Sequence, residues 1–333
     1  MRFFEQQENA RAQTVRLLLL FVLTLLILVM AVNLALALTW RLVTPGSSAY
    51  PSYFFVVNTV MTFVFVLGGW WVETSALHGG GEPLARRVGA REAWPASREA
   101  ENKFCNIVSE MAIASSMRAP SPMVLAGVDG INAFACGWHV GDAVVAVTQG
   151  ALDHLSRDEL QGLVAHEFSH IREGDTRLNM RLAGMVFGLE MIFNLGSWMC
   201  EKNDDGHHSF LVIPGFAIKT VGSLGWVAGR ALKAAVSRQR EFLADARAVQ
   251  FTRSKDGLGR VLRKVAGQQQ SGTAVPFHPS VQHMLLVTSS RLSPWFATHP
   301  PLAERIRRIY GRPMTALQPQ KNEDLVTRPD TPF

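Results

Sequence analysis

The chain has 333 residues, of which 48% are hydrophobic and 18% are charged, and its formal net charge is +6. Because about a quarter of the residues in soluble domains are charged, this composition indicates that part of the chain lies in lipid. The sequence has no dense basic run interleaved with aromatic residues, so nucleic acid is not expected as a partner, and basic residues beside membrane spans account for the positive charge.

Two apolar runs near the N-terminus predict a transmembrane hairpin. Leu17 to Trp40 is long enough to cross a hydrocarbon core of about 30 Å, and Tyr53 to Trp71 forms a second run of similar character. The turn-forming residues Thr44 to Ser48 separate the two runs. We therefore predict a membrane anchor with two transmembrane helices over residues 1–83.

The distribution of basic residues predicts how this hairpin is oriented. Only Arg41 lies between the two apolar runs, whereas both outer flanks carry several basic residues. Positive residues are retained on the cytoplasmic side of a membrane, so both flanks are expected in the cytoplasm. The flanking basic residues are Arg2, Arg11, Arg16, Arg86, Arg87, Arg91, Arg98 and Lys103.

The composition becomes globular from residue 84, and we predict a second domain over 84–317. Helical periodicity extends from Lys103 to Met117. Short β-prone runs separated by glycines then predict a small antiparallel sheet. These runs are Met123 to Leu125, Ile131 to Cys136 and Ala143 to Thr148. Residues 318–333 are rich in Pro, Asp and Thr and predict a flexible tail.

A capped helix carries the first chemically informative motif. Ser156 and Glu159 form a capping-box pattern ahead of an apolar helical run that contains the segment HEFSH. On a helix, His166 and His170 lie on one face and can bind one metal ion. Glu167 is turned about 100° from His166, which keeps it off the metal but within reach of a water. This arrangement suits a general base.

Two further apolar stretches follow this helix, at residues 182–200 and 211–234. Each stretch is long enough to span a membrane. A buried helix pair and a re-entrant segment are the alternatives. These stretches interrupt the predicted second domain.

A second polar motif, REFLAD, follows the apolar stretches. Catalytic zinc usually has three protein ligands and a water, so two histidines alone are not sufficient. If REFLAD is helical, Glu241 and Asp245 share one face. Glu241 could then complete a His-His-Glu site, and Asp245 could accept a hydrogen bond from the free ring nitrogen of a ligand histidine. The alternative is a solvated charged helix face, which the presence of HEFSH disfavours.

Four motifs follow one another in the order that is typical of HtpX-like zinc peptidases, and over residues 98–310 the chain resembles that family, which is related more remotely to the CAAX prenyl endopeptidases. The motifs are GINAFACG (Gly130 to Gly137), HEFSH, SRQREFLAD (Ser237 to Asp245) and THPPLAERI (Thr298 to Ile306). The resemblance implies an α+β, mainly helical fold. It comprises a zincin-type catalytic domain with a small antiparallel sheet and the HExxH helix, the N-terminal hairpin and two further apolar helices.

The resemblance also assigns roles to individual residues. His166, His170 and Glu241 match the zinc ligands of the family. Glu167 matches its catalytic glutamate. Asp245 matches the aspartate of the family that contacts a zinc ligand rather than the zinc itself. One zinc ion per chain is therefore expected.

Two further assignments concern the substrate. His299 and Arg305 match positions that steady the oxyanion or the site, with a structural turn at His299 ahead of the next helix as the alternative. An edge-strand segment holds the substrate backbone by β-augmentation, so that an extended peptide is presented to the zinc whatever its sequence. The residues that match this segment are Asn132, Ala133, Phe134 and Ala135.

These observations predict a membrane-bound, zinc-dependent endopeptidase that hydrolyses unfolded or misfolded membrane proteins in quality control or a stress response. No GxxxxGK[ST] loop is present, so the reaction is expected to be independent of ATP. The resemblance implies a multi-pass protein of a bacterial inner (plasma) membrane with its active site on the cytoplasmic side. A narrow-specificity protease of the CAAX type and an inactive membrane adaptor or chaperone remain alternatives, and the oligomeric state stays open.

Overall fold

The structure is a computed structural model that describes residues 2–46, 49–201, 211–270, 285–286 and 299–320. The chain divides into two compact units. The first comprises Met1–Ala76 and Arg181–Lys233, and the second comprises Leu77–Met180 and Ala234–Phe333. The division at residues 83 and 317 that the sequence suggests stays a prediction. Most of the predicted tail, residues 321–333, lies outside the described residues.

The described residues are mainly helical, as the sequence predicts. The helices in chain order are α1 Arg2–Val43, α2 Phe54–Ala76, α3 Gly81–Arg87, α4 Glu99–Ser115, α5 Gln149–His154, α6 Arg157–Glu173, α7 Asp175–Met199, α8 Val212–Thr252, α9 Asp256–Gln270 and α10 Leu302–Tyr310. The strands are β1 Arg91–Glu92, β2 Ser121–Leu125, β3 Ala133–Cys136 and β4 Val144–Thr148.

Within the described part of the chain, four helical segments are long and apolar enough to cross a membrane. They are Leu18–Val43, Phe54–Ala76, Asp175–Met199 and Val212–Ala231. The first two contain most of the predicted N-terminal hairpin. The other two largely coincide with the stretches at 182–200 and 211–234, so the length and composition of both suit a membrane span.

The first unit is held together by apolar contacts and close helix approach. Leu28, Val66 and Leu189 are buried in one apolar cluster that joins its helices. A Cβ on Gly188 would lie 2.5 Å from the Val66 carbonyl oxygen, so α7 and α2 pack backbone against backbone as in membrane helix pairs. Large apolar side chains such as Met30, which is 73% exposed, remain on the outside. Such a surface suits contact with lipid.

The second unit is built on a four-stranded sheet with the strand order β1-β2-β4-β3. β1 and β2 are antiparallel, and so are β3 and β4. β2 and β4, however, run parallel, from the pair Ser121–Val144 to the pair Leu125–Thr148. The sheet is therefore mixed, and the prediction of an antiparallel sheet is wrong for this pair. β4 is buried along its whole length because it is a central strand, and such strands lack the alternation that marks antiparallel edges.

Helix α6 lies in the middle of the second unit. Its N-terminus has the predicted capping box, in which the Ser156 backbone N–H donates to Glu159 Oε2 at 2.8 Å. It ends at Gly174, whose φ of 74° is left-handed. A Cβ on Gly162 would lie 2.3 Å from the Leu258 backbone nitrogen, so α6 and α9 touch closely. α6 also packs against α4 and β3, which fixes its side chains in the core.

Candidate metal centre and active site

Two helices bring together the three residues that could hold a metal ion. His166 and His170 project from α6, and Glu241 projects from α8, so the predicted helical REFLAD segment is confirmed. Nε2 of His166 lies 3.2 Å from Nε2 of His170. Oε2 of Glu241 is 3.7 Å from Nε2 of His166, and its Oε1 is 3.6 Å from Nε2 of His170. His166 and Glu241 are buried and His170 is nearly so.

The spacing of these atoms fits a tetrahedral metal ion. Ligand atoms that lie about 2.1 Å from a tetrahedral zinc are about 3.4 Å from one another. One ligand atom from each of His166, His170 and Glu241 lies within 4.8 Å of the other two. Two imidazoles and a carboxylate are also the donor set of many catalytic zinc sites, which leave the fourth position to water.

Each of the two histidines has a carboxylate next to its Nδ1 atom. Oδ1 of Asp245 lies 3.2 Å from Nδ1 of His166, as expected from the sequence. Oδ2 of Asp175 lies 2.9 Å from Nδ1 of His170, and the other oxygen of Asp175 pairs with Arg240. Such carboxylates fix the ring orientation and leave Nε2 for the metal. Helical spacing alone does not indicate Asp175, but its position just after Gly174, the glycine that ends the ligand helix, is a signal for it.

The two histidines differ in their affinity for protons. Burial lowers the pKa of His166, and the nearby positive charges of His170 and Arg305 act in the same direction. Burial would also lower the pKa of His170, but Asp175 and Glu241 outweigh it and raise this pKa to about 9. In the metal-free protein, His170 is therefore the histidine that holds a proton at neutral pH.

Arg305 on α10 is completely buried and connects the residues around the candidate site. Its Nε and Nη2 donate to Asp245 at 2.9 and 2.6 Å. Its Nη1 lies 3.0 Å from Oε2 of Glu241. Burial alone would raise the pKa of both carboxylates, but the guanidinium and the histidines outweigh it and lower both values. A buried arginine with two buried carboxylate partners is electrostatically compensated.

His299 also lies at the candidate site. Its Nδ1 is 3.2 Å from Oε2 of Glu241, and its side chain is 8% exposed. It precedes α10, whose N-cap residue is Pro301. The two readings of this motif are therefore compatible: the turn starts the helix that carries Arg305 and places His299 against Glu241.

Glu167 is the remaining predicted catalytic residue, and it is buried beside the histidines. Among the described residues, neither of its carboxylate oxygens is bonded to another side chain, so the carboxylate can accept from a water. Burial, reinforced by the negative charge of Glu241, raises the pKa of Glu167 to about 8. A carboxylate with a pKa near neutrality is suited to take up and release a proton.

The predicted substrate strand has a partner within the chain. β3 is the last strand in the order of the sheet, as expected, but Phe134 forms an antiparallel bridge with Leu285. The Leu286 backbone N–H donates to the Ala133 carbonyl oxygen at 3.0 Å. All four residues from Asn132 to Ala135 are buried. No pattern in the sequence indicates this pairing.

Comparison with known proteins identifies the family. Residues 99–312 match the family model described as peptidase family M48. The "Protease HtpX homolog" of Dictyoglomus turgidum is 32% identical over 268 residues, which cover 78% of this chain and 84% of that protein. The homologue of the same name from Streptococcus uberis is 34% identical over 215 residues, which cover 62% of this chain and 72% of that protein.

A third relative and one solved structure were also found to be similar to this chain. The "Protease HtpX homolog" of Syntrophobacter fumaroxidans is 28% identical over 284 residues, or 82% of this chain and 95% of that protein. The crystal structure of S. mikatae Ste24p has a TM-score of 0.43 and 17% identity, covering 83% of this chain and 61% of that chain. From the family match, the relatives and the four apolar helices, the chain belongs to peptidase family M48 and is an HtpX-like integral membrane metalloendopeptidase.

Proposed function

We propose that this protease is a zinc-dependent, ATP-independent endopeptidase that cleaves unfolded or misfolded membrane proteins in protein quality control. The observation that carries the proposal is the cluster of His166, His170 and Glu241 beside the buried carboxylate of Glu167. Nothing in this set requires a covalent intermediate, because a general base and a metal-activated water are sufficient for peptide hydrolysis.

His166, His170 and Glu241 would hold the zinc, with Asp245 and Asp175 orienting the two imidazoles. The chemistry that a bound zinc would supply is acidification of a water and polarisation of the peptide carbonyl. Glu167 removes a proton from the attacking water and delivers it to the nitrogen of the leaving amine. Burial raises the pKa of Glu167, and this supports its role as the group that takes up and releases the proton.

Arg305 and His299 would stabilise the negative charge that develops on the carbonyl oxygen. Both side chains approach Glu241, and the Arg305 guanidinium is fixed by its two bonds to Asp245. Donors that are held rigidly in a dry site stabilise an oxyanion without reorganisation during the reaction. Asp245 thus positions both Arg305 and His166.

The substrate would bind as an extended chain along β3, at Asn132 to Ala135. Backbone pairing of this kind does not depend on the substrate sequence, which suits unfolded and membrane-exposed polypeptides. The basic residues that flank the N-terminal hairpin support an active site that faces the cytoplasm, and the bacterial relatives support location in an inner membrane. A peptide-library cleavage profile separates this broad protease from a narrow CAAX-type enzyme, which would cleave only near one motif.

The experiment that tests the proposal is Glu167→Gln in the purified, zinc-loaded full chain. We expect the variant to retain its zinc and to lose cleavage of casein, because the amide cannot accept the proton of the attacking water. Full activity would contradict the mechanism. Absence of casein cleavage by the wild-type protein would favour the alternative of an inactive adaptor or chaperone.

A further inference from the structure

The outer edge of β3 is paired with two leucines from the same chain. Phe134 and Leu285 form the antiparallel bridge, and the Leu286 backbone N–H donates to the Ala133 carbonyl oxygen at 3.0 Å. Both leucine side chains are 1% exposed. An extended peptide that added to this edge would use the same backbone groups of β3. Leu285–Leu286 and such a peptide therefore compete for one position.

The carbonyl oxygen of Leu286 lies beside the candidate metal ligands. It accepts a hydrogen bond from Nη1 of Arg305 at 3.0 Å, and the same nitrogen is 3.0 Å from Oε2 of Glu241. The other terminal nitrogen of Arg305 is 3.5 Å from Nε2 of His166. The Arg305 guanidinium thus links the Leu286 carbonyl to two of the candidate metal ligands, Glu241 and His166. This is where a substrate carbonyl would have to lie for Arg305 to stabilise it.

The side chain of Leu286 fills an apolar site on the active-site face of the sheet. Because Leu285 is opposite Phe134, Leu286 shares the other face of the strand with Ala133 and Ala135. Leu286 belongs to the apolar cluster that contains these two alanines and residues of α6 and α10. A residue bound in its place would be surrounded by apolar groups and would contribute most if it were aliphatic.

We propose that Leu285–Leu286 occupies the position of the substrate backbone on β3, so that substrates must displace it and must supply an aliphatic residue in place of Leu286. The proposal rests on the proposed function of this site. An occupant on the same chain has a high effective concentration, so it competes strongly with a dilute substrate. The apparent affinity for substrate then falls in proportion to the fraction of molecules whose strand edge is free.

The opposing interpretation is that Leu285–Leu286 is a permanent fifth strand. Leu286→Ala in the full, zinc-loaded chain separates the two interpretations, with Leu262→Ala as the matched control. Leu262 is equally buried in the same apolar cluster but lies on α9. Both variants lose a buried leucine and should unfold at a lower temperature. Only Leu286→Ala weakens the occupant, so it should raise kcat/KM for casein by about fivefold or more through a lower KM.

An unchanged or reduced kcat/KM in Leu286→Ala, matching Leu262→Ala, would overturn the proposal. A second measurement remains decisive if Leu286→Ala fails to fold. A synthetic peptide of residues 281–290, VQHMLLVTSS, should inhibit casein cleavage by the wild-type chain competitively, raising KM and leaving kcat unchanged. The same peptide with aspartate in place of both leucines should not inhibit. Equal potency of the two peptides, or inhibition by neither, would contradict the proposal.

These outcomes are distinguishable from failure of the proposed function. If the wild-type chain cleaves no casein, or if Glu167→Gln cleaves it equally well, the proposed mechanism fails first. If the wild-type chain cleaves, Glu167→Gln does not, and neither Leu286→Ala nor the peptide has the expected effect, then only the assignment of Leu285–Leu286 fails.

Discussion

The two sides of the candidate metal cluster differ in burial and in how their charges are paired. On the His166 side, Asp245 is buried and binds the buried guanidinium of Arg305 through both oxygens. On the His170 side, the histidine is 13% exposed and Asp175 pairs with Arg240, which is 18% exposed. Burial makes an unpaired charge costly. The His166 side should therefore determine stability, and the His170 side should mainly determine metal binding and its pH dependence.

The largest expected effect comes from Asp245→Asn. This change leaves Arg305 buried with one carboxylate fewer, which should lower the free energy of unfolding by about 3–5 kcal/mol and weaken zinc binding. Denaturant unfolding of the purified chain, followed together with zinc content, measures both. If Asp245→Asn loses zinc at unchanged stability, the comparison between the two sides is wrong.

Asp175→Asn should have a smaller effect on stability and a clear effect on the metal. Losing the carboxylate behind His170 removes the group that orients the ring, so the zinc affinity should fall about 10–100-fold. Competition with a chelator of known affinity measures the change. Destabilisation as severe as that of Asp245→Asn would contradict the distinction.

Zinc binding should also depend on pH through His170 rather than His166. With a pKa of about 9 in the metal-free protein, His170 is protonated below that pH and must release its proton to bind zinc. The zinc affinity should therefore rise with pH up to about 9, and each zinc bound at neutral pH should release at least one proton. Calorimetry in buffers of different ionisation enthalpy counts these protons. In Asp175→Asn the pH window should move to lower values.

The smallest expected effect concerns the exposed face of α10. Glu304 pairs there with Arg307 and Arg308 at the surface, one turn or less from Arg305 in sequence. Exposed ion pairs contribute little, so Glu304→Gln should leave zinc content and unfolding unchanged within error. A marked loss of either in this variant would mean that substitutions on α10 act through the helix as a whole rather than through the buried Arg305.

Local patterns in the sequence were sufficient to predict much of the site. The capping box fixed the start of α6, and helical spacing placed His166, Glu167 and His170 correctly. Glu241 and Asp245 could also be predicted from the sequence. A catalytic zinc needs a third protein ligand, and residues four apart lie on the same face of a helix. Each of these inferences depends on residues close together in sequence.

The pairing of strands that are distant in sequence could not be predicted in the same way. Two examples are the parallel pairing of β2 with β4 and the bridge from Phe134 to Leu285. In both, the sequences of the two segments contain no pattern that predicts their pairing. The apolar residues of a central strand do not indicate whether a neighbouring strand runs parallel or antiparallel to it. Asp175 is close to His170 in sequence, but its carboxylate reaches the histidine through the turn at Gly174 rather than through helical spacing.

We propose that Glu241 from α8 completes the zinc site whose first two ligands lie in HEFSH on α6. Elemental analysis of purified wild-type, Glu167→Gln and Glu241→Ala chains after dialysis against a weak chelator tests it most directly. We expect about one zinc per chain in the wild type and in Glu167→Gln, and a large loss in Glu241→Ala, because two histidines alone bind zinc weakly. Unchanged zinc in Glu241→Ala would remove Glu241 from the ligand set and contradict the account.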